Sequence, residues 1–286
     1  MNVIWMILAG LFLSVVGVLV KVGAHQFSST ELAFYRSFFS LIFLYSIMKF
    51  RGHKVQRTNL KRHLGRSLAG IATTLLFFHV LTTLPLATAT TLTYTSPLFL
   101  ALLSIFWLKE KVHFPQILTL GAGFAGVVIL LGPSITPAQL PDAMLGLASG
   151  FFAGVAYMNV RGLSRDGEPA WNIVFYFSLI ATLVTGLLVL LQPMHPVTLQ
   201  NIWIIAGTGI FGTVGQLFLT KAYQGGQTIV TGAFNYTTLI FSSLFGAVLW
   251  HEFLSPVAWA GMAILIGSGI VMIVLSSRHP HSKAPA

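Results

Sequence analysis

Two side chains able to hold or move charge stand inside otherwise apolar stretches of this chain, Arg36 and His79. An arginine near the middle of a membrane helix costs roughly 2.5–3.5 kcal/mol on insertion scales, so Arg36 must face water or a partner. Its guanidinium offers paired donors that fit a carboxylate or a phosphate. It can instead pair with Glu31 or reach toward headgroups. His79 can donate to an anion, or titrate and couple the movement of a solute to protons. A histidine bonded to a backbone carbonyl is the alternative. Tyr94, Thr95, Tyr157, Asn159, Gln216, Asn235 and Tyr236 add uncharged polar groups of the kind that replace water around a solute in hydrocarbon. Each can equally serve an interhelical hydrogen bond, worth about 0.6 kcal/mol on average in one measured case. Apart from Thr95, these residues with Arg36 and His79 are the candidate substrate-binding set.

What must position them is a bundle of membrane helices. Of the 286 residues, 55% are hydrophobic and 8% charged, whereas a soluble domain carries about 25% charged residues. Most of the surface must therefore face lipid. Spans of roughly 20 apolar residues are expected from the thickness of a bilayer. They fall near 3–22, 31–50, 66–84, 88–108, 116–132, 143–161, 170–191, 201–221, 228–250 and 256–275. Pro133, Pro137 and Pro141 separate the fifth from the sixth, and Pro193 and Pro196 the seventh from the eighth. The first run, Val3 to Val20, lacks a basic leader and a cleavage site, so it reads as a retained helix rather than a signal peptide. The tail 276–286 is expected to be a disordered cytoplasmic segment.

Basic residues set the direction. With the N-terminus inside, the inner segments hold Lys49, Arg51, Lys54, Arg57, Lys61, Arg62, Arg66, Lys109, Lys111, Arg161, Arg165, Lys221, Arg278 and Lys283, and the outer ones hold Lys21 alone. This bias predicts cytoplasmic termini in an inner, or plasma, membrane. The net charge of +10 thus reports orientation, not nucleic-acid binding.

The chain also repeats itself at offsets of 140 to 143 residues. Gly10, Phe12, Val20 and Lys21 align with Gly150, Phe152, Val160 and Arg161. Phe34-Tyr35-Arg36-Ser37 aligns with Phe175-Tyr176-Phe177-Ser178, Tyr94 with Tyr236, and Glu110 with Glu252. Five spans per half is an odd number, so the second half must enter the membrane upside down. The fold class is therefore all-α integral membrane, with ten transmembrane helices as two inverted five-helix repeats, 1–132 and 141–275. Such halves can exchange conformations and expose one site alternately to either side.

Other chemistry is excluded or subordinate. There is no cysteine, hence no disulfide or thiolate metal site. No zinc-protease motif, nucleophile elbow or aspartate pair is present, so the chain is not read as an enzyme and no cofactor is expected. Glu110 and Glu252 either gate a cavity or, as the preferred reading, pair with local cations or backbone donors and fix a turn. Lys221, the repeat partner of His79, is expected to extend to the inner surface. Ala122-xxx-Gly126 and Ala263-xxx-Gly267 permit close helix contact, either within the chain or in a homodimer.

These residues resemble the drug/metabolite transporter superfamily, in its ten-helix EamA-type branch. The resemblance lies in Leu84 to Thr90, Ser96-Pro97-Leu98-Phe99, Leu108-Lys109-Glu110-Lys111 and Gly121 to Leu131. It continues in Lys221-Ala222-Tyr223-Gln224, Trp250-His251-Glu252 and Gly261 to Val271. It implies that helices one to four and six to nine surround a central cavity, with five and ten at the periphery. It also implies a secondary transporter whose partners are a small molecule and the bilayer. The expected function is export of small metabolites, amino acids first, as in the similar aromatic amino acid exporters. Efflux of cationic drugs and transport of sugar phosphates or nucleotide sugars are the alternatives. The first lacks a membrane-embedded carboxylate, and the second needs more cavity cations than Arg36 and His79.

Overall fold

Local chemistry explains where the helices begin and break. The computed structural model describes residues 2–52, 55–108, 114–134, 136–224 and 236–278. The helices are α1 (Asn2–Gly23), α2 (Ser29–Phe50), α3 (Leu60–Thr83), α4 (Leu86–Thr93), α5 (Ser96–Leu108), α6 (Phe114–Ser134), α7 (Leu140–Arg165), α8 (Ala170–Leu190), α9 (Ile202–Gln224), α10 (Thr237–Trp250) and α11 (Pro256–Arg278). Ser28 opens α2 with a capping box: its hydroxyl accepts the Glu31 N–H at 3.2 Å, and Glu31 accepts the Ser28 N–H at 2.7 Å. Two orphan donors are thereby satisfied at a helix start.

Two expected spans differ from those found. The third helix begins at Leu60 rather than 66, because Arg62 pairs with Asp166 and His63 buries its ring against Tyr176, giving the extra turns tertiary partners. The fourth span is not one helix. It breaks at Tyr94–Thr95 into α4 and α5, since Pro97 has no N–H to continue the ladder and is tolerated only in a first turn. The Thr95 hydroxyl donates to the Leu92 carbonyl at 2.6 Å there. Thr90 and Thr91 donate back to Leu86 and Ala87 at 2.7 Å, which lets so polar a helix be buried.

α1, α2, α3, α7, α8 and α9 are each long and apolar enough to cross a membrane, and α6, α10 and α11 carry shorter apolar stretches. α4 and α5 share one crossing between them. Leu183, Leu187 and Leu190 on α8, Val128 on α6 and Val248 on α10 are 63–77% exposed. Their free energy favours lipid around them.

The packing has a two-fold relation between halves. α1 lies on α9 as α3 lies on α7, and α1 lies on α10 as α7 lies on α4 and α5; α2 meets α8 and α6 meets α11 as self-paired contacts. Glycines make the close approaches possible. A Cβ on Gly10 would come within 2.7 Å of the Thr237 hydroxyl. One on its counterpart Gly150 would collide with the Thr95 hydroxyl, at the equivalent break of the other half. α6 and α11 approach through Gly126 and Gly261, where a Cβ on Gly261 would stand 2.5 Å from the Leu130 nitrogen. Gly126 is thus used within the chain, while Ala263 and Gly267 lie on an exposed face of α11.

The ends are tied by polar contacts. At one end Lys21 pairs with Glu252, which also accepts the Leu86 N–H at 2.8 Å, so Glu252 has the cation and backbone donor expected of it. At that end Glu31 accepts the backbone N–H of His195 at 2.7 Å and meets its ring at 2.8 Å. At the opposite end Arg62 pairs with Asp166, and Thr58 and Asn172 donate to Glu168. Glu110, Asn235 and residues 279–286 of the tail lie outside the described residues.

Candidate functional site

Arg36 on α2 and Phe177 on α8 hold equivalent places in the two halves, and they meet. The Arg36 guanidinium carbon is 5.7 Å from the Phe177 ring centroid and 6.0 Å from that of Phe78 on α3. Gly212 on α9 leaves the space for it: a Cβ there would come 2.9 Å from Arg36 Nε. At the equivalent position on α3, Gly70 leaves space for Phe177 and for a second cation. A Cβ there would stand 2.9 Å from Phe177 and 2.6 Å from Nη1 of Arg66. The same pair of glycines therefore shapes both sides of the contact.

Arg66 was expected in an inner segment. The longer α3 carries it into the bundle, where it is 3% exposed and its guanidinium carbon lies 3.9 Å over the Phe177 ring. Arg36 is 6% exposed. Burial of this kind normally requires a paired carboxylate or full hydrogen bonding. Among the described residues neither arginine has an ion pair. The buried nitrogens Arg36 Nε and Arg66 Nε and Nη1 have no hydrogen-bond partner. Glu31, the expected partner of Arg36, is committed to Ser28 and His195. Glu168, buried at the Arg62 end, is engaged by Thr58 and Asn172, with His63 Nε2 at 3.6 Å. What remains for the arginines among the described residues is aromatic rings, Phe177 for both and Phe78 for Arg36.

Arg36 faces a cavity of about 110 Å³ between the halves. That is space for several waters or a solute of a few heavy atoms, below the roughly 300–1,000 Å³ of drug-sized pockets. Repeat-equivalent positions line it in pairs, Thr74 with Gln216 and Phe77 with Leu219. The cavity thus sits where the two-fold relation places it. Thr90, Thr93, Thr238 and Ser242 add hydroxyls, and among the described residues no Asp or Glu is part of the lining. Tyr94 closes one side, its hydroxyl donating to Thr238 Oγ1 at 2.9 Å.

Of the residues singled out in the sequence, Arg36, Tyr94, Tyr157 and Gln216 come together at this cavity. His79 does not: it is 47% exposed and its Nε2 lies 3.3 Å from Asp142 Oδ1 at the Lys21 end. Asn159 donates to the Val155 carbonyl at 2.9 Å on its own helix. Tyr236 caps α10, with its ring against Gly269 of α11. Asn235 is outside the described residues. Lys221 is exposed, with its ammonium 4.0 Å over the Trp5 ring. The sequence placed Arg66 in an inner segment and gave His63 no role. The signal available for both was amphipathic continuation of the third helix below residue 66.

Comparison with known proteins agrees with this arrangement. Residues 1–132 and 141–275 match the model of the EamA-like transporter family. An uncharacterized transporter of Helicobacter pylori is 30% identical over 93% of this chain and 92% of its own length. A pseudopaline exporter of Pseudomonas aeruginosa is 27% identical over 95% of each. An S-adenosylmethionine uptake transporter of Rickettsia prowazekii is 26% identical over 99% of this chain and 95% of its own length. A crystal structure with 18% identity superposes with a TM-score of 0.69 over 97% of this chain and 98% of that one, a likeness of fold.

Proposed function

Because this chain belongs to the EamA-like transporter family, we propose that its two halves carry small carboxylate-bearing metabolites, amino acids first among them, by alternating access. One observation carries this reading: Arg36 is buried without an ion pair among the described residues and faces a cavity between the halves. A carboxylate entering that cavity would recover the desolvation that the guanidinium now bears alone, through paired charge-assisted hydrogen bonds. Tyr94, Tyr157 and Gln216 offer hydroxyl and amide groups to the rest of the solute, and Phe77 and Phe78 an apolar wall. Efflux of cations would call for a carboxylate, and among the described residues the lining has none.

The direction of net flux follows the gradients imposed on such a carrier. Relatives include one named as an exporter and one named for uptake. The bias of basic residues supports an inner-membrane protein with both termini cytoplasmic. The test is counterflow in proteoliposomes holding the purified chain, over a panel of labelled amino acids. Arg36→Gln should abolish the movement of whichever solute is carried, and Arg36→Lys should retain part of it, keeping the charge but losing the paired donors. Unchanged transport by Arg36→Gln would sink the proposal.

A further inference from the structure

We propose that the preferred substrate carries two negative charges, one met by Arg36 in the cavity and the other by Arg66 just beyond it. This rests on the transport reading above and narrows its substrate class.

The case is one of charge balance. Arg36 and Arg66 lie 5.7 and 3.9 Å from the centroid of one phenyl ring, that of Phe177, so the two guanidinium groups are neighbours of one side chain. Both are at least nine-tenths buried, and neither has an acidic partner among the described residues. Like charges so placed repel, and do so more strongly in a weakly polarisable interior than in water. A monoanion neutralises only one of them. A solute with two acidic groups, or with one doubly ionised phosphate, neutralises both. Tyr157 lines the cavity together with Arg36, and Phe177 lies against both cations. Gly70 keeps the space beside Arg66 and Phe177 narrow enough to position the side chains, yet free of a Cβ. Displacement of the Tyr157 or Phe177 ring would join the two cations in one chamber. Phosphate esters need more cations than Arg36 alone supplies to the cavity. Arg66 is the additional one.

Counterflow by the full chain in proteoliposomes separates the possibilities. The competitors are L-glutamate and succinate as dicarboxylates, glucose 6-phosphate as a phosphate ester, L-alanine and L-phenylalanine with one carboxylate, and L-lysine. A doubly charged competitor should outperform the monocarboxylates by about ten- to hundredfold, the affinity equivalent of one hydrogen bond to a charged group. Whether the dicarboxylates or the phosphate ester does so identifies the source of the two charges. Arg66→Gln should erase that advantage, so that doubly and singly charged competitors become alike, and Arg66→Lys should restore part of it. Thermal melting in detergent verifies that each variant is folded. The wild-type ranking is decisive even if a variant fails to fold. Equal or better competition by monocarboxylates in the wild type overturns the inference and leaves the proposed function standing. Transport of L-lysine with no competition from any anion overturns both.

Discussion

Arg36 and Phe177 occupy matching positions in two copies of one ancestral helix, yet one is charged and the other is not. The duplication makes a chamber, and the inequality gives it one charged wall. Because Gly212 packs directly on the guanidinium, Gly212→Ala should push Arg36 out of place. A small-to-large change in such a contact costs about 1–3 kcal/mol. We expect a lower melting temperature and a loss of transport resembling Arg36→Gln. Normal transport by this variant would show that Arg36 does not need its present position. His79 gives the opposite expectation. Half-exposed and beside Asp142, it is not part of the cavity lining, so His79→Gln should leave the pH profile of transport unchanged. A displaced profile in proteoliposomes would return His79 to the mechanism.

At the scale of elements, the breaks and ends matter most. His251 closes α10 in the left-handed region, with φ at 55°. A side chain bears about 1 kcal/mol or more there, which glycine does not. His251→Gly is therefore expected to raise stability by up to about 1 kcal/mol, read as a higher melting temperature in detergent. A few residues away, Glu252 joins α1 to the start of α4 through Lys21 and the Leu86 N–H. Glu252→Gln keeps an acceptor for the amide but strips Lys21 of its counter-charge. The expected loss is about 1–3 kcal/mol, the cost of leaving a partly buried polar group unmet. Retention of the full melting temperature would mean that the pair is only a surface ornament.

For the molecule as a whole, alternating access requires the two ends to separate in turn. The chain has no cysteine, so introduced thiols report without background. Lys21→Cys with Glu252→Cys ties the halves together at one end, and Arg62→Cys with Asp166→Cys ties α3 to the α7–α8 turn at the other. Bridging either pair with a short reducible reagent should stop transport, and reduction should restore it. A carrier that works with both ends bridged does not alternate. Tags at the two termini should be reached from the same, cytoplasmic side of the membrane.

The sequence by itself determined the crossing helices, their inverted duplication and the family resemblance. A helix in lipid must satisfy its backbone internally, so spans are written in local runs of apolar residues. The repeat is likewise a one-dimensional pattern, visible in Gly10 with Gly150 and Tyr94 with Tyr236 before any coordinates. Tertiary structure alone decided which polar side chains meet. Whether His79 faces outward and Arg36 inward depends on the rotation of each helix against partners more than a hundred residues away. Arg66 lies inside the bundle on an α3 that begins at Leu60, whose first turns meet Asp166, Glu168 and Tyr176 from the other half. Segment hydrophobicity carries no record of such neighbours, since it sums over a helix and the site depends on one face of it.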